Sequence, residues 1–340
     1  MTRLVALVSL WCWFISQAYA LGGPKYVTGT QTAGTIPLVQ NGAATPLIVS
    51  AEDWSGVIRA VGDLAEDVQR VSAELPTVVH DLKGLHGGDV VLIGTIGKSV
   101  LIDDLIRRHK LNVAGVAGKW ESEVTTVVDW PMSGVPRALV IAGSDKRGTI
   151  FGIYDLSEQI GVSPWYWWAD VRVLHKAALY VEPGRHILEE PAVKYRGIFL
   201  NDEAPALSGW VNEKYGGYNS NFYTRVFELL LRLKANFLWP AMWNSAFAAD
   251  DPLNAKLADE YGIVMSTSHE EPMMRAEKEW KPSDGPWDYL ANAKRIDDFW
   301  RTGMERNKNY EQIVYFGYAR RQRYGYVAYD QYGDAGEDRR

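Results

Sequence analysis

Cysteine is almost absent: Cys12 is the only one in 340 residues. It lies within the first twenty positions, so a chain cleaved after Ala20 has no thiol and no route to a disulfide. A disulfide is not needed at this length, since about 300 residues bury enough surface for ordinary cores. Basic runs are missing too. With a net charge of −6 and no stripe of Lys or Arg, neither nucleic acid nor an anionic membrane surface is expected as a partner. Beyond the first twenty residues no apolar stretch approaches the ~20 residues of a membrane span, and no Asn-x-Ser/Thr sequon occurs. Histidines number six. His269-Glu270-Glu271 opens like a zinc-protease motif, but Met273 stands where the second histidine belongs. Neither a metal nor another cofactor is expected.

What is present starts at the amino terminus. Arg3, the apolar run from Leu4 to Ile15 and the small-x-small Ala18-Tyr19-Ala20 are the three parts of a secretory signal peptide. Residues 1–20 are therefore expected to be removed and the protein to be secreted to the extracellular side. Aromatic residues are abundant, with 14 Trp and 18 Tyr. Flat pyranose C–H faces pack on such rings, yet large cores use them as well. Composition alone leaves the two open.

Periodicity divides the remainder. A helical pattern runs through Val57, Val61, Leu64, Val68 and Val71, preceded by Ser50-Ala-Glu-Asp53, which has the outline of a capping box. Val90–Ile96, Glu123–Trp130 and Arg137–Ala142 read as strands, Leu101–His109 and Arg147–Ile160 as helices, and Val171–Val181 as extended. This alternation predicts an α/β domain over 21–188. From Tyr195 the rhythm is strand, helix, strand. Ile198–Leu200 ends in Asn201-Asp202-Glu203, and a helix comes next over Tyr223–Ala235. A second strand runs into Trp239-Pro-Ala-Met-Trp243. Helix Asn254–Tyr261 leads to strand Ile263–Met265, which ends at His269-Glu270-Glu271. Helix Trp287–Asn307 and a strand start at Ile313-Val314 complete the pattern. Polar and acidic residues at each strand's carboxyl end predict the first strands of a (β/α)8 TIM barrel over 189–314. It is truncated, because a whole barrel takes about 250 residues.

The acidic pairs at two strand ends suit glycoside hydrolysis, in which two carboxyl groups flank the scissile bond. A solvated loop charge or helix cap would explain either pair singly. His269 could bond a sugar hydroxyl or carboxylate. Gly143-Ser-Asp-Lys-Arg-Gly148-Thr149 sits where a phosphate loop would, but lacks Lys-Ser/Thr after its second glycine. Lys146 and Arg147 are left either to cap the turn or to reach an anionic substrate. Trp165-Tyr-Trp-Trp168 is too dense for one core and is expected to line a cleft or to pack domains together.

Taken together, these stretches resemble one family: Gly143 to Ile150 with Tyr154 to Asp170, Arg196-Gly-Ile-Phe-Leu-Asn-Asp-Glu203, Leu238-Trp-Pro-Ala-Met-Trp243, and Tyr261-Gly-Ile-Val-Met265 with His269-Glu-Glu-Pro-Met273. The chain is similar to glycoside hydrolase family 115, the xylan α-1,2-glucuronidases, from about residue 40 to 314. The resemblance implies a catalytic (β/α)8 barrel and an inverting, metal-free mechanism. The implied substrate is a glucuronic or 4-O-methylglucuronic acid branch on glucuronoxylan or its oligosaccharides. It makes Asp202, Glu203 and Glu271 the catalytic candidates, with Asn201, Trp239, Trp243, His269 and Glu270 binding substrate. Acid and base are not assigned among the three carboxyl groups. Any dimerisation of family members is expected to run through domains not represented here. Past Val314 the family would continue Thr-Leu-Gly-Met-Arg-Gly-Asp, where this chain has Tyr315-Phe-Gly-Tyr-Ala-Arg-Arg321. A reading frame one nucleotide later permits the family residues, so 315–340 is expected to be an out-of-frame tail. The chain as it stands is expected to be inactive; the alternative is a fragment that at most binds carbohydrate.

Overall fold

A strand that is apolar on both faces needs cover on both, and every residue of Val90–Thr95 is buried. The computed structural model, which describes residues 24–81, 87–268 and 271–316, sets this strand inside a six-stranded sheet. The expected signal peptide lies outside the described residues, as do His269, Glu270 and positions 317–340 of the tail. The chain divides into two compact units. One holds the residues up to Asp53 together with Ile58–Glu190, and the other holds Trp54–Val57 and the residues from Pro191 onward.

The first unit begins with β1 (Val27–Thr28), β2 (Ile36–Gln40), β3 (Ala43–Ala44), β4 (Leu47–Val49), α1 (Ser55–Ser72) and β5 (Val78–Val79). It continues with β6 (Val90–Thr95), α2 (Val100–Arg107), β7 (Glu123–Met132), β8 (Val135–Gly143), α3 (Lys146–Ile160), β9 (Leu179–Val181) and β10 (Arg185–Leu188). The larger sheet has the order β10-β7-β8-β6-β4-β5. Its β5, β4, β6 and β8 are mutually parallel, and β7 and β10 are antiparallel to their neighbours. Ile48, Leu92, Val124 and Val140 from the strands pack with Ile102 and Leu105 of α2. A smaller antiparallel sheet runs β1-β9-β2-β3.

Two local expectations change here, and the Gly143–Gly148 turn takes a definite role. Ser50–Asp53 does not cap α1, which starts at Ser55. The buried Asp53 carboxylate accepts instead from the N–H and Oγ1–H of Thr95, both at 2.8 Å, at the end of β6. The extended stretch expected from Val171 shrinks to β9, because residues 170–178 pair with no strand and leave Val171 and Leu174 exposed. The glycines of Gly143–Gly148 serve packing, not phosphate. A Cβ on Gly143 would stand 2.1 Å from the Thr149 nitrogen, and one on Gly148 2.3 Å from the Ser122 carbonyl oxygen. Asp145 caps α3 by accepting the Gly148 N–H at 2.8 Å. Arg147 turns inward to the buried Glu121 at 2.6 Å, with its guanidinium over the Trp120 ring. In the aromatic run, Trp167 meets Trp168 edge to face at 4.9 Å, and Arg70 lies over the Tyr166 ring.

The second unit carries β11 (Gly197–Phe199), α4 (Ala206–Tyr215), α5 (Ser220–Arg232) and β12 (Phe237–Trp239). After these come α6 (Phe247–Asp250), α7 (Leu253–Tyr261), β13 (Val264–Met265) and α8 (Tyr289–Asn307). Its three strands are parallel in the order β11-β12-β13, and Met265 makes a further parallel bridge to Gln312. Helix α5 starts three residues before the position its apolar spacing marks. Asn219 accepts from the Asn221 and Phe222 N–H groups and so caps it earlier. Helix α4 has no apolar stripe to announce it, and only Val211 is buried. Both units are α/β, with helices between the parallel strands of the second.

Two glycines should answer oppositely to alanine in urea unfolding. At Gly143 the backbone nitrogen facing the new methyl cannot yield, so Gly143→Ala should lose about 3 kcal/mol or more. Gly62, inside α1 with nothing within 4 Å, should gain about 0.5–1 kcal/mol as Gly62→Ala.

Candidate active site

Parallel strands point their carboxyl ends to one edge of the sheet, so the segments after β11, β12 and β13 come together there. After β11, the Asp202 side chain is wholly buried. One carboxylate oxygen accepts the Met242 N–H at 3.0 Å, and the other accepts the Trp243 N–H at 2.9 Å. Both donors belong to the loop after β12. The preceding N–H of that loop, on Ala241, donates to the hydroxyl of buried Tyr223 at 3.2 Å. Ser208 of α4 donates its hydroxyl hydrogen to the Asp202 carbonyl and lies 3.1 Å from the Tyr218 hydroxyl. Burial pushes the Asp202 carboxyl above its ordinary value, although the Met242 and Trp243 N–H groups pull the other way. Burial also raises Tyr218, to about 12.

After β13, Glu271 is likewise buried, and its Oε2 has no hydrogen-bond partner among the described residues. It lines a narrow pocket with Pro240, Phe247, Thr267, Met274 and Glu279. Burial pushes its carboxyl well above the usual range, reinforced by the negative charges of Asp202, Glu279 and Glu277. Arg306 and Asn307 also line this pocket, yet burial and the nearby carboxylates favour the protonated form of Glu271. The chain then turns sharply, with Met273 at φ 55° and Met274 at φ 60°, a left-handed pair that costs non-glycine residues about 1–3 kcal/mol each. Helix α8 supports this turn at Gly303, where a Cβ would stand 2.4 Å from the Met273 carbonyl oxygen. Arg306 pairs with Glu279 at 2.8 Å and Arg275 does so at 3.3 Å.

Of the residues singled out in the sequence, Asp202, Trp243 and Glu271 converge, since Asp202 binds the Trp243 backbone and acts by its charge on Glu271. Asn201 and Glu203 are exposed beside them on the β11 segment. Trp239 packs edge to face on Phe199 at 5.7 Å, with its indole N–H buried and without a partner among the described residues. Tyr218, Tyr223 and Glu279 were missed. Tyr223 had a signal, as it shares the helical face of Val226 and Leu230 while carrying a hydroxyl that a core must satisfy.

Residues 188–322 match the model of Glycosyl hydrolase family 115. Among solved structures the chain is similar to BtGH115A, a family GH115 4-O-methyl-α-glucuronidase with specificity for decorated arabinogalactans. The TM-score is 0.69 at 32% identity, covering 81% of this chain and 35% of that one. The present chain thus spans about a third of that relative's length. Weaker likenesses join it to the β-hexosaminidase of Streptomyces plicatus, with TM-score 0.40 at 13% identity over 72% of this chain and 44% of that one. The GH20 exo-β-N-acetylglucosaminidase of Vibrio harveyi gives TM-score 0.41 at 11% identity over 73% and 35% respectively. No curated protein matches. The family match runs on to residue 322, past the Val314 at which the motif resemblance stops.

Glu271 should leave a signature in stability against pH. Its folded-state value is raised, so the folded form is favoured while the carboxyl is protonated in both states. That advantage is lost as pH rises from the ordinary 4.5 towards the folded-state value. Glu271→Gln never ionises. Its stability relative to the native chain should therefore climb by about 1.4 kcal/mol per pH unit through this window. Thermal melts of both proteins from about pH 4 to about pH 8 would show a widening gap, and a constant gap would refute the assignment.

Proposed function

We propose that this chain, a member of glycoside hydrolase family 115 by its residues 188–322, carries part of the active site of a secreted α-glucuronidase. The substrate would be a polysaccharide bearing glucuronic acid or its 4-O-methyl ether. The observation that carries the reading is Glu271, a carboxyl group at a strand end with one buried, unpartnered oxygen and three other acidic groups acting on it. Such a group keeps its proton to higher pH than an ordinary carboxyl does, which suits a general acid. In the proposed reaction Glu271 gives that proton to the glycosidic oxygen as its bond to the anomeric carbon breaks. Glu203, exposed after β11 with β12 between it and the Glu271 strand, takes a proton from the water that attacks the opposite face, which inverts the configuration. Both steps run through carboxyl groups. Trp243 and Trp239 offer ring surface for the pyranose, and the three parallel strands are read as the start of a (β/α)8 barrel.

The backbone polysaccharide is left as xylan by the motif resemblance, while the solved relative acts on decorated arabinogalactans. The shared chemistry is a terminal glucuronic acid. Strand β11 supports the view that this chain by itself binds sugar without turnover. It is a parallel strand with Ile198 and Phe199 each 44% exposed, although such strands are ordinarily covered on both faces. Residues 21–340, titrated with glucuronic-acid-decorated xylo-oligosaccharide, should show binding. Assayed on glucuronoxylan and on decorated arabinogalactan, they should release no glucuronic acid. Absence of binding to either sugar would defeat the site assignment, and release of glucuronic acid would defeat the claim of inactivity alone.

A further inference from the structure

A proton-transfer carboxylate needs an oxygen open to its substrate, and Asp202 has none to offer. The residue is wholly shielded from solvent, and each oxygen already accepts a backbone N–H. What it does hold is a loop. Residues 240–243 form neither helix nor strand, so their amide groups cannot satisfy one another. Three successive N–H groups are met from outside. Tyr223 of α5 takes that of Ala241, and Asp202 takes those of Met242 and Trp243. The Ala241 carbonyl in turn accepts the Ser245 hydroxyl at 2.7 Å. The clamp is itself fixed, because Ser208 holds the Asp202 carbonyl from α4. Acceptance by a carboxylate makes these amide bonds stronger than neutral ones, which suits a segment supported from other elements.

We propose that Asp202 is a positioning residue: it fastens the loop that presents Trp243 to the sugar, with Tyr223 as the second anchor, and takes no part in proton transfer. Only the identity of the sugar rests on the α-glucuronidase reading. The arrangement also explains why the two acidic positions at the end of β11 differ so sharply in exposure. Asp202 points back into the fold to hold the loop, while Glu203 stands in solvent.

Amide hydrogen exchange read by mass spectrometry tests the clamp directly. In Asp202→Ala, the peptide spanning residues 240–245 should exchange at least about tenfold faster, with peptides from α5 unchanged. Asp202→Asn keeps one acceptor and should fall between the two, and it decides the matter if the alanine variant does not fold. Tyr223→Phe should loosen Ala241 alone. Native-like loop protection in the aspartate variants overturns the proposal. A double-mutant cycle then reads the link to sugar, using glucuronic-acid-decorated xylo-oligosaccharide as the probe. Asp202→Ala and Trp243→Ala should each weaken binding about tenfold, and the double variant should be no worse than the poorer single. Additive losses would overturn the positioning role. A native chain that binds none of this probe would defeat the α-glucuronidase reading and leave the exchange measurement to decide the clamp.

Discussion

A buried carboxylate shared between two strand ends is the constraint on which the second unit's site depends. Asp202 is carried by the segment after β11, yet both of its hydrogen bonds go to the segment after β12. An ionised group away from water is tolerated only when its lone pairs are met, and here consecutive amide groups meet them. The same burial places a negative charge close to Glu271, after β13. One side chain thereby links all three strand ends, to one by covalent position, to the next by hydrogen bonds and to the third through its field.

The pocket around Glu271 obeys a different logic from the clamp. Both Asp202 oxygens accept backbone N–H groups, whereas the Oε2 of Glu271 has no partner among the described residues. The left-handed turn at Met273 and Met274 belongs to the same design. It swings the chain back after Glu271, and α8 can lie close to it only because residue 303 has no side chain. Strain of this kind persists where surrounding packing over-determines the backbone, and the absence of a Cβ at Gly303 is what lets that packing close.

The first unit turns several of its charges inward. Arg147 is spent on Glu121, Asp145 on capping α3, and Asp53 on the end of β6. Its glycine-rich turn sits where a phosphate loop would but lacks the Lys-Ser/Thr such a loop needs. The close approach is real, but it is to the protein's own backbone, at Thr149 and Ser122. Glycine spacing reports that something comes near and is silent about what.

The amino-acid sequence by itself determined the alternation of strands and helices in both units, because uninterrupted apolar runs such as Val90–Thr95 and helical spacing such as that of α5 are local patterns. It also marked Asp202, Trp243 and Glu271 through motifs at strand ends. Helix α4 and the displaced start of α5 were not legible, since one lacks an apolar stripe and the other rests on a cap outside its periodic residues. Only the tertiary structure decided the surroundings of each acidic residue. Asp202 and Glu203 are neighbours of like charge in the chain, and nothing local separates them. Burial, hydrogen-bond partners and the charges of other segments set them apart, as they set Glu271 apart from both. All three depend on which segments the folded sheet brings side by side.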